Sequence, residues 1–182
     1  MEPDVCLQAG DFWCYETEWP VPMYWIAGNH ERGKVIQDVL KGKHKLPRNS
    51  IMLKGGYVKE ICGLKVLPLP AKNRVDAAPG PASFTRHAYE CCWNHKGQDI
   101  DIFLSHGCGF EFVVNAFGRI INGEEEPITE LIRRLKPKIA ISGHCHTFAN
   151  EFHEGIRCLR MGTCKPQGGG EYILTEQDFE ED

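Results

Sequence analysis

The sequence predicts an α/β fold in which two β-sheets form a sandwich flanked by helices, and three observations predict it. Short apolar runs recur along the chain, and four of them end in a glycine-bearing or polar turn. Two segments carry apolar residues at helical spacing. Between these two, glycines punctuate further short runs at the intervals of consecutive strands. The length of 182 residues suits one domain with a sizeable core.

In chain order, Val5-Cys6-Leu7 reads as a strand ending at Gly10-Asp11. Residues 12 to 22 form an aromatic, acidic loop bounded by prolines. Met23-Tyr24-Trp25-Ile26 is the next strand, with Trp25 assigned to the core, and it leads into Gly28-Asn29-His30-Glu31. Glu31 to Leu40 reads as a helix whose apolar face is Val35, Ile36, Val39 and Leu40. Glu31 at its start favours the positive end of the helix dipole. Ile51-Met52-Leu53, Tyr57 to Cys62 and Leu64 to Leu67, separated by Gly55-Gly56 and Gly63, read as consecutive antiparallel strands.

Residues 70 to 84, rich in Pro, Ala and Gly, read as a loop, and a helix is expected between about Phe84 and His95. Ile100 to Ser105 is a strand ending at His106. Ile128, Leu131, Ile132 and Leu135 make a clean helical stripe, with Pro127 in the first turn where a missing N–H is harmless. Ile139-Ala140-Ile141 precedes Gly143-His144-Cys145-His146, and Ile156 to Leu159 and Tyr172 to Leu174 again read as strands. Residues 1–176 are expected to be one domain, and Gln177 to Asp182 a frayed acidic tail.

Hydrophobic residues make up 42% of the chain and charged residues 25%, an ordinary balance for a soluble globular protein. No apolar run approaches the length of about 18 residues that a membrane span needs, and no signal peptide is visible at Met1-Glu2-Pro3-Asp4. A net charge of −4 gives no indication of nucleic-acid binding while leaving room for a local basic patch. Nine cysteines show no regular disulfide framework. Cys6, Cys62 and Cys158 lie in strand-like runs as small buried residues, and a reducing, cytoplasmic compartment is expected. Cys91-Cys92 with His95 is a poor match to the spacing of structural zinc ligands.

Each of the four motifs has a bland explanation when taken alone. Asp11 could simply form a turn, Asn29 could cap a helix, and His106 could be a polar residue at a strand end. His144 and His146 are two residues apart, so in an extended segment both rings project to one side. That spacing can offer one imidazole to each of two neighbouring cations. Together, the motifs would bring a carboxylate, an amide oxygen and imidazoles to four strand ends, a mixed donor set that suits Mn, Fe, Zn or Ni better than Ca.

In this order, Gly10-Asp11, Gly28-Asn29-His30-Glu31, Ser105-His106-Gly107 and Gly143-His144-Cys145-His146 resemble the motifs of the calcineurin-like metallophosphoesterases, from Gly10 to about Thr163. The resemblance implies a four-layer sandwich and hydrolysis of a phosphate mono- or diester by metal-activated hydroxide. It implies one complete metal position held by Asp11, Asn29, His106 and His144, and a second, partial one with Asp11 and His146. His30 would act as general acid or stabilise the phosphoryl group.

The family's opening Asp-x-His has no counterpart here, because residues 1 to 10 contain Asp4 but no His. A further family Asp is replaced by Cys14. Two expectations follow: a chain whose first strand is missing from its N-terminus, or a short form that serves as a scaffold or protein-binding module with one metal or none. Loss of that strand would leave a sheet edge able to pair in a homodimer or with a partner strand. Phe110, Phe112 and Phe117 could form a lid or a dimer surface. Trp13 and Trp19 could line the cleft or pack in the core.

Overall fold

A computed structural model describes residues 2–70, 85–110, 126–144, 148–162 and 173–179. It is an α/β protein with two sheets and three helices among those residues. The first sheet holds β1 (Cys6–Gln8), β2 (Met23–Trp25) and β3 (Ser50–Met52), in that order and parallel throughout. The second holds β4 (Lys59–Ile61), β5 (Leu64–Leu69), β6 (Ile102–Ser105), β7 (Ile139–Ser142), β8 (Ala149–His153) and β9 (Ile156–Arg160). Its order is β4-β5-β6-β7-β9-β8, with parallel pairing from β5 through β9 and an antiparallel pair at each edge. The helices are α1 (Gly33–Leu40), α2 (Thr85–Trp93) and α3 (Glu126–Leu135).

Side-chain alternation along the central strands shows how the layers stack. Val66, Ile102, Leu104, Ile139 and Ile141 face a core shared with Ile26 and Ala9 of the first sheet's segments. Their neighbours Leu67, Phe103 and Ala140 face the opposite way, against Ile128, Leu131, Ile132 and Leu135 of α3 and Ala88 and Cys92 of α2. Strands covered on both faces read as continuous apolar runs. On the outer side of the first sheet, Trp25, Phe12, Tyr15 and Ile36 of α1 form a third cluster. The order is therefore α1, first sheet, second sheet, then α2 and α3.

The run of antiparallel strands expected between Ile51 and Leu67 is only partly present. Ser50–Met52 instead joins β2 in parallel, in the other sheet. Gly55-Gly56 looked like a hairpin turn, but these glycines are needed for helix packing. A Cβ on Gly55 would meet Pro70 Cδ at 2.4 Å, and one on Gly56 would meet Cys91 Cβ at 2.4 Å. The hairpin in this stretch, β4–β5, turns at Cys62 (φ 49°) and Gly63 (φ 81°), two left-handed residues in succession as a tight hairpin turn requires. Cys62 is consequently exposed rather than buried.

Other elements also depart from the sequence expectation. α1 starts at Gly33, which leaves Glu31 outside the helix. Ile173 and Leu174 are not in a strand, and Tyr172 lies outside the described residues. Residues 176–179 form a short 3-10 turn in which Asp178 pairs with Arg157 and Phe179 packs on the core. Phe110 is buried against α3 and stacks on His153 at 4.6 Å between centroids. It is therefore no exposed lid residue, while Phe112 and Phe117 lie outside the described residues. Cys108 is disulfide-bonded, although the sequence shows no disulfide framework.

Candidate metal centre

The parallel pairing brings the motif loops to one end of the molecule. Gln8, Trp25 and Met52 share one register level in the first sheet, and Leu69, Ser105, Ser142 and Arg160 share one in the second. Each motif starts within a few residues of such a strand end. The C-terminal ends of parallel strands are where α/β folds place their ligand sites.

At the turn after β1, the Gln8 side chain brackets Gly10. Its Oε1 accepts from the Gly10 N–H at 2.8 Å and its Nε2 donates to the Gly10 carbonyl at 2.6 Å. Asp11 follows with φ 56°, and His144 has φ 61°. Left-handed backbone at residues other than glycine costs of order 1–3 kcal/mol, and such strain gathers at functional sites. Glycine is required at three places nearby. A Cβ on Gly10 would meet His106 Nδ1 at 2.2 Å, one on Gly28 would meet Asp11 Oδ1 at 2.3 Å, and one on Gly143 would meet the Ala9 carbonyl at 2.5 Å.

His106 is 1% exposed and links the two sheets. Its Nδ1 lies 2.7 Å from the Ala9 carbonyl oxygen, which can only accept, so Nδ1 carries the proton. Nε2 then faces Asn29 Oδ1 at 2.8 Å and Asp11 Oδ2 at 3.6 Å. With Nε2 unprotonated, three lone-pair donors point at one another. A positive species between them, a proton on Nε2 or a cation, relieves that repulsion, and so does an Asn29 amide turned to donate its NH2 to Nε2. The rings of His106 and His144 are 5.1 Å apart, nearly edge to face, which places a further imidazole beside the cluster. These groups fit a divalent transition metal in donor type.

Among the described residues, no three His, Cys, Asp or Glu side chains are gathered into a metal-holding group on their own. The close trio here is completed by an amide, Asn29. His146 lies outside the described residues. His30 is exposed, and its backbone N–H donates to Asp11 Oδ1 at 2.8 Å. Its ring is therefore free to face a substrate while its backbone fixes the carboxylate.

Glu31 ties the two loops of the first sheet together. Its Oε2 accepts from the Gly28 N–H at 2.5 Å and its Oε1 from the Phe12 N–H at 2.5 Å. Burial, with the Asp11 carboxylate nearby, pushes its carboxyl up to about 7, against the pull of the N–H groups it accepts. In the sequence, Glu31 reads only as a partner of the helix dipole, and Gln8 has no visible role. Glu31's place inside a four-residue motif was a signal that could have been used. Gln8 carried none.

The family described as calcineurin-like phosphoesterase matches residues 3–148. No curated protein matches. Among solved structures, the protein TT1561 of Thermus thermophilus is similar with a TM-score of 0.52 and 11% identity, covering 78% of this chain and 63% of that one. A second crystal structure is similar with a TM-score of 0.56 and 14% identity, covering 79% of this chain and 58% of that one. At such identities the likeness is one of fold. The chain spans about three fifths of the length of these relatives.

Proposed function

The chain belongs to the calcineurin-like phosphoesterase family, and on that premise we propose a metal-dependent hydrolase acting on a phosphate mono- or diester. The observation that carries this is the convergence of His106 Nε2, Asn29 Oδ1 and Asp11 Oδ2. His144 would join them in holding the cation, and His146 would serve a second, partial position. When bound, the metal would supply Lewis acidity toward a phosphoryl oxygen and lower the pKa of water.

The chain's own residues supply the rest. The Ala9 carbonyl fixes the His106 tautomer so that Nε2 faces the centre. Glu31 and the His30 backbone hold Asp11 and Asn29 at a set distance. The exposed His30 ring would hand a proton to the leaving oxygen or offset charge on the phosphoryl group. Metal analysis after loading with Mn or Zn, followed by assays on p-nitrophenyl phosphate and its bis ester, tests the proposal. About one tightly held metal per chain with turnover of either ester is expected. A folded chain that binds no metal and hydrolyses neither ester removes it.

In that case a protein-binding module takes its place, and one observation favours it. Among the described residues, β1 pairs only with β2, which leaves an edge that a second copy or a partner strand could extend. Light scattering at tens of micromolar showing a strict monomer counts against such pairing. No helix among the described residues is long and apolar enough to cross a membrane. A cytoplasmic location is also proposed. The exposed thiols of Cys14 and Cys62 support it and the disulfide at Cys108 opposes it, so fractionation of the native protein is the deciding test.

A further inference from the structure

We propose that Trp13 is a stacking platform that selects phosphate esters whose organic part carries a flat aromatic ring, either an aryl group or a nucleobase. This deepens the phosphoesterase assignment and rests on it. Trp13 lies two residues after Asp11, so its Cα is within about 7 Å of that of the candidate ligand. It is 64% exposed, the opposite of its neighbour Phe12, which is 7% exposed.

A single exposed aromatic residue ordinarily needs no explanation. This one is held out by a rigid and strained support. Cys14 N–H donates to the Phe12 carbonyl at 2.6 Å, closing a three-residue turn around Trp13 with φ 52°. Turns of this kind with positive φ at the centre are rare and strained. Phe12 is fixed on both sides. Its ring stacks on the buried Trp25 at 5.0 Å and its N–H is bound to Glu31 Oε1 at 2.5 Å. The same Glu31 carboxylate binds Gly28 in the loop bearing Asn29. The indole is thus mounted on the framework that positions the candidate ligands.

A large apolar ring maintained in water by a strained backbone has a use if something flat covers it. Base-on-aromatic stacking tolerates ring identity because every base has a π-face. Exposed Glu16 and Glu18, three and five residues further along the same loop, give that loop negative charge. This favours an organic part without additional phosphates.

The test compares wild type, Trp13→Ala and Trp13→Phe, loaded with Mn, on four esters. p-Nitrophenyl phosphate and AMP carry rings at two distances from phosphorus, whereas ethyl phosphate and ribose 5-phosphate carry none. Trp13→Ala should lower kcat/KM on a ring-bearing ester about tenfold, the change produced by about 1.4 kcal/mol of lost stacking. Ring-free esters should change less than twofold, and Trp13→Phe should recover most of the loss. An effect confined to p-nitrophenyl phosphate identifies an aryl ester, and one confined to AMP a nucleotide; either supports the platform. Equal losses on all four esters, or no loss on any, overturn it.

Quenching of intrinsic fluorescence by AMP, with ribose 5-phosphate as control, provides a readout independent of turnover. If wild type is quenched by AMP alone, the quench is absent in Trp13→Phe, and no ester is hydrolysed, the phosphoesterase assignment falls while ring binding at Trp13 stands. A silent protein with no quench overturns both.

Discussion

Replacing Gly28 by alanine is the change the centre should tolerate least. The added Cβ would lie 2.3 Å from Asp11 Oδ1, 2.5 Å from Asp11 N and 2.7 Å from His106 Cε1. Ordinary contact starts near 3.4 Å, so Asp11 has to retreat by about 1 Å. Rotating its side chain does not suffice, because the backbone nitrogen is among the contacts. Metal–ligand distances are held to about 0.2 Å, so the displacement would take Asp11 out of reach of a metal held at the proposed site. Calorimetric titration with Mn should show affinity lowered by about 10- to 100-fold, the scale seen when groups orienting a ligand are lost. Urea unfolding should show a loss of about 1–3 kcal/mol from overpacking. Gly97→Ala is the control: its φ is +79° and nothing lies within 4 Å of a new Cβ. It should cost about 1 kcal/mol in backbone strain and leave Mn affinity unchanged. A folded Gly28→Ala protein that binds Mn like the wild type would refute the placement of Asp11 in the centre.

His30→Ala should reduce turnover by roughly 10²–10⁴-fold with metal content unchanged, whereas Asn29→Ala and His144→Ala should lose metal too; loss of metal from His30→Ala would contradict its placement outside the ligand set. Glu31, raised from 4.5 to about 7, should make metal-free protein less stable as pH rises through that window, since only the native state resists ionisation there. Relative to Glu31→Gln, wild type should lose about 2 kcal/mol between pH 5.5 and 8, and a flat difference in urea midpoints would rule this out. Burial raises the Cys92 thiol to about 12, so mass spectrometry after brief iodoacetamide treatment at pH 8 should find Cys92 unmodified while the exposed Cys14 and Cys62 react.

The features legible in the sequence were those with a local cause. α3 was visible because Ile128, Leu131, Ile132 and Leu135 repeat at the helical period and all are buried. β6 and β7 were visible because strands covered on both faces read as continuous apolar runs, here broken only at the closing Ser105 and Ser142. Which strand Ser50–Met52 would pair with was not legible, since three residues carry no register information. The function of Gly55 and Gly56 depends on Ala88, Pro70 and Cys91, more than a dozen residues away along the chain. At the site, Asp11, Asn29, His106 and His144 were candidates because their motifs follow strands in an order that resembles the family's. The Ala9 carbonyl that sets the His106 tautomer was not, because a backbone oxygen leaves no mark on the sequence. His146 remains a sequence proposal.

The bond from His106 to the Ala9 carbonyl spans 97 positions of sequence and joins the end of β6 to the end of β1. The contact to Asn29 spans 77. Neither sheet holds the donor trio by itself, so the centre is a seam between two halves of the molecule. Contacts of such long sequence separation form late, after the chain has lost the entropy of closing large loops. A cation held at the seam, as proposed, would bind only the docked arrangement and stabilise it by mass action. Chelation should therefore act first on how firmly the sheets hold together, with faster amide exchange along β1 and β6 before any change in α3.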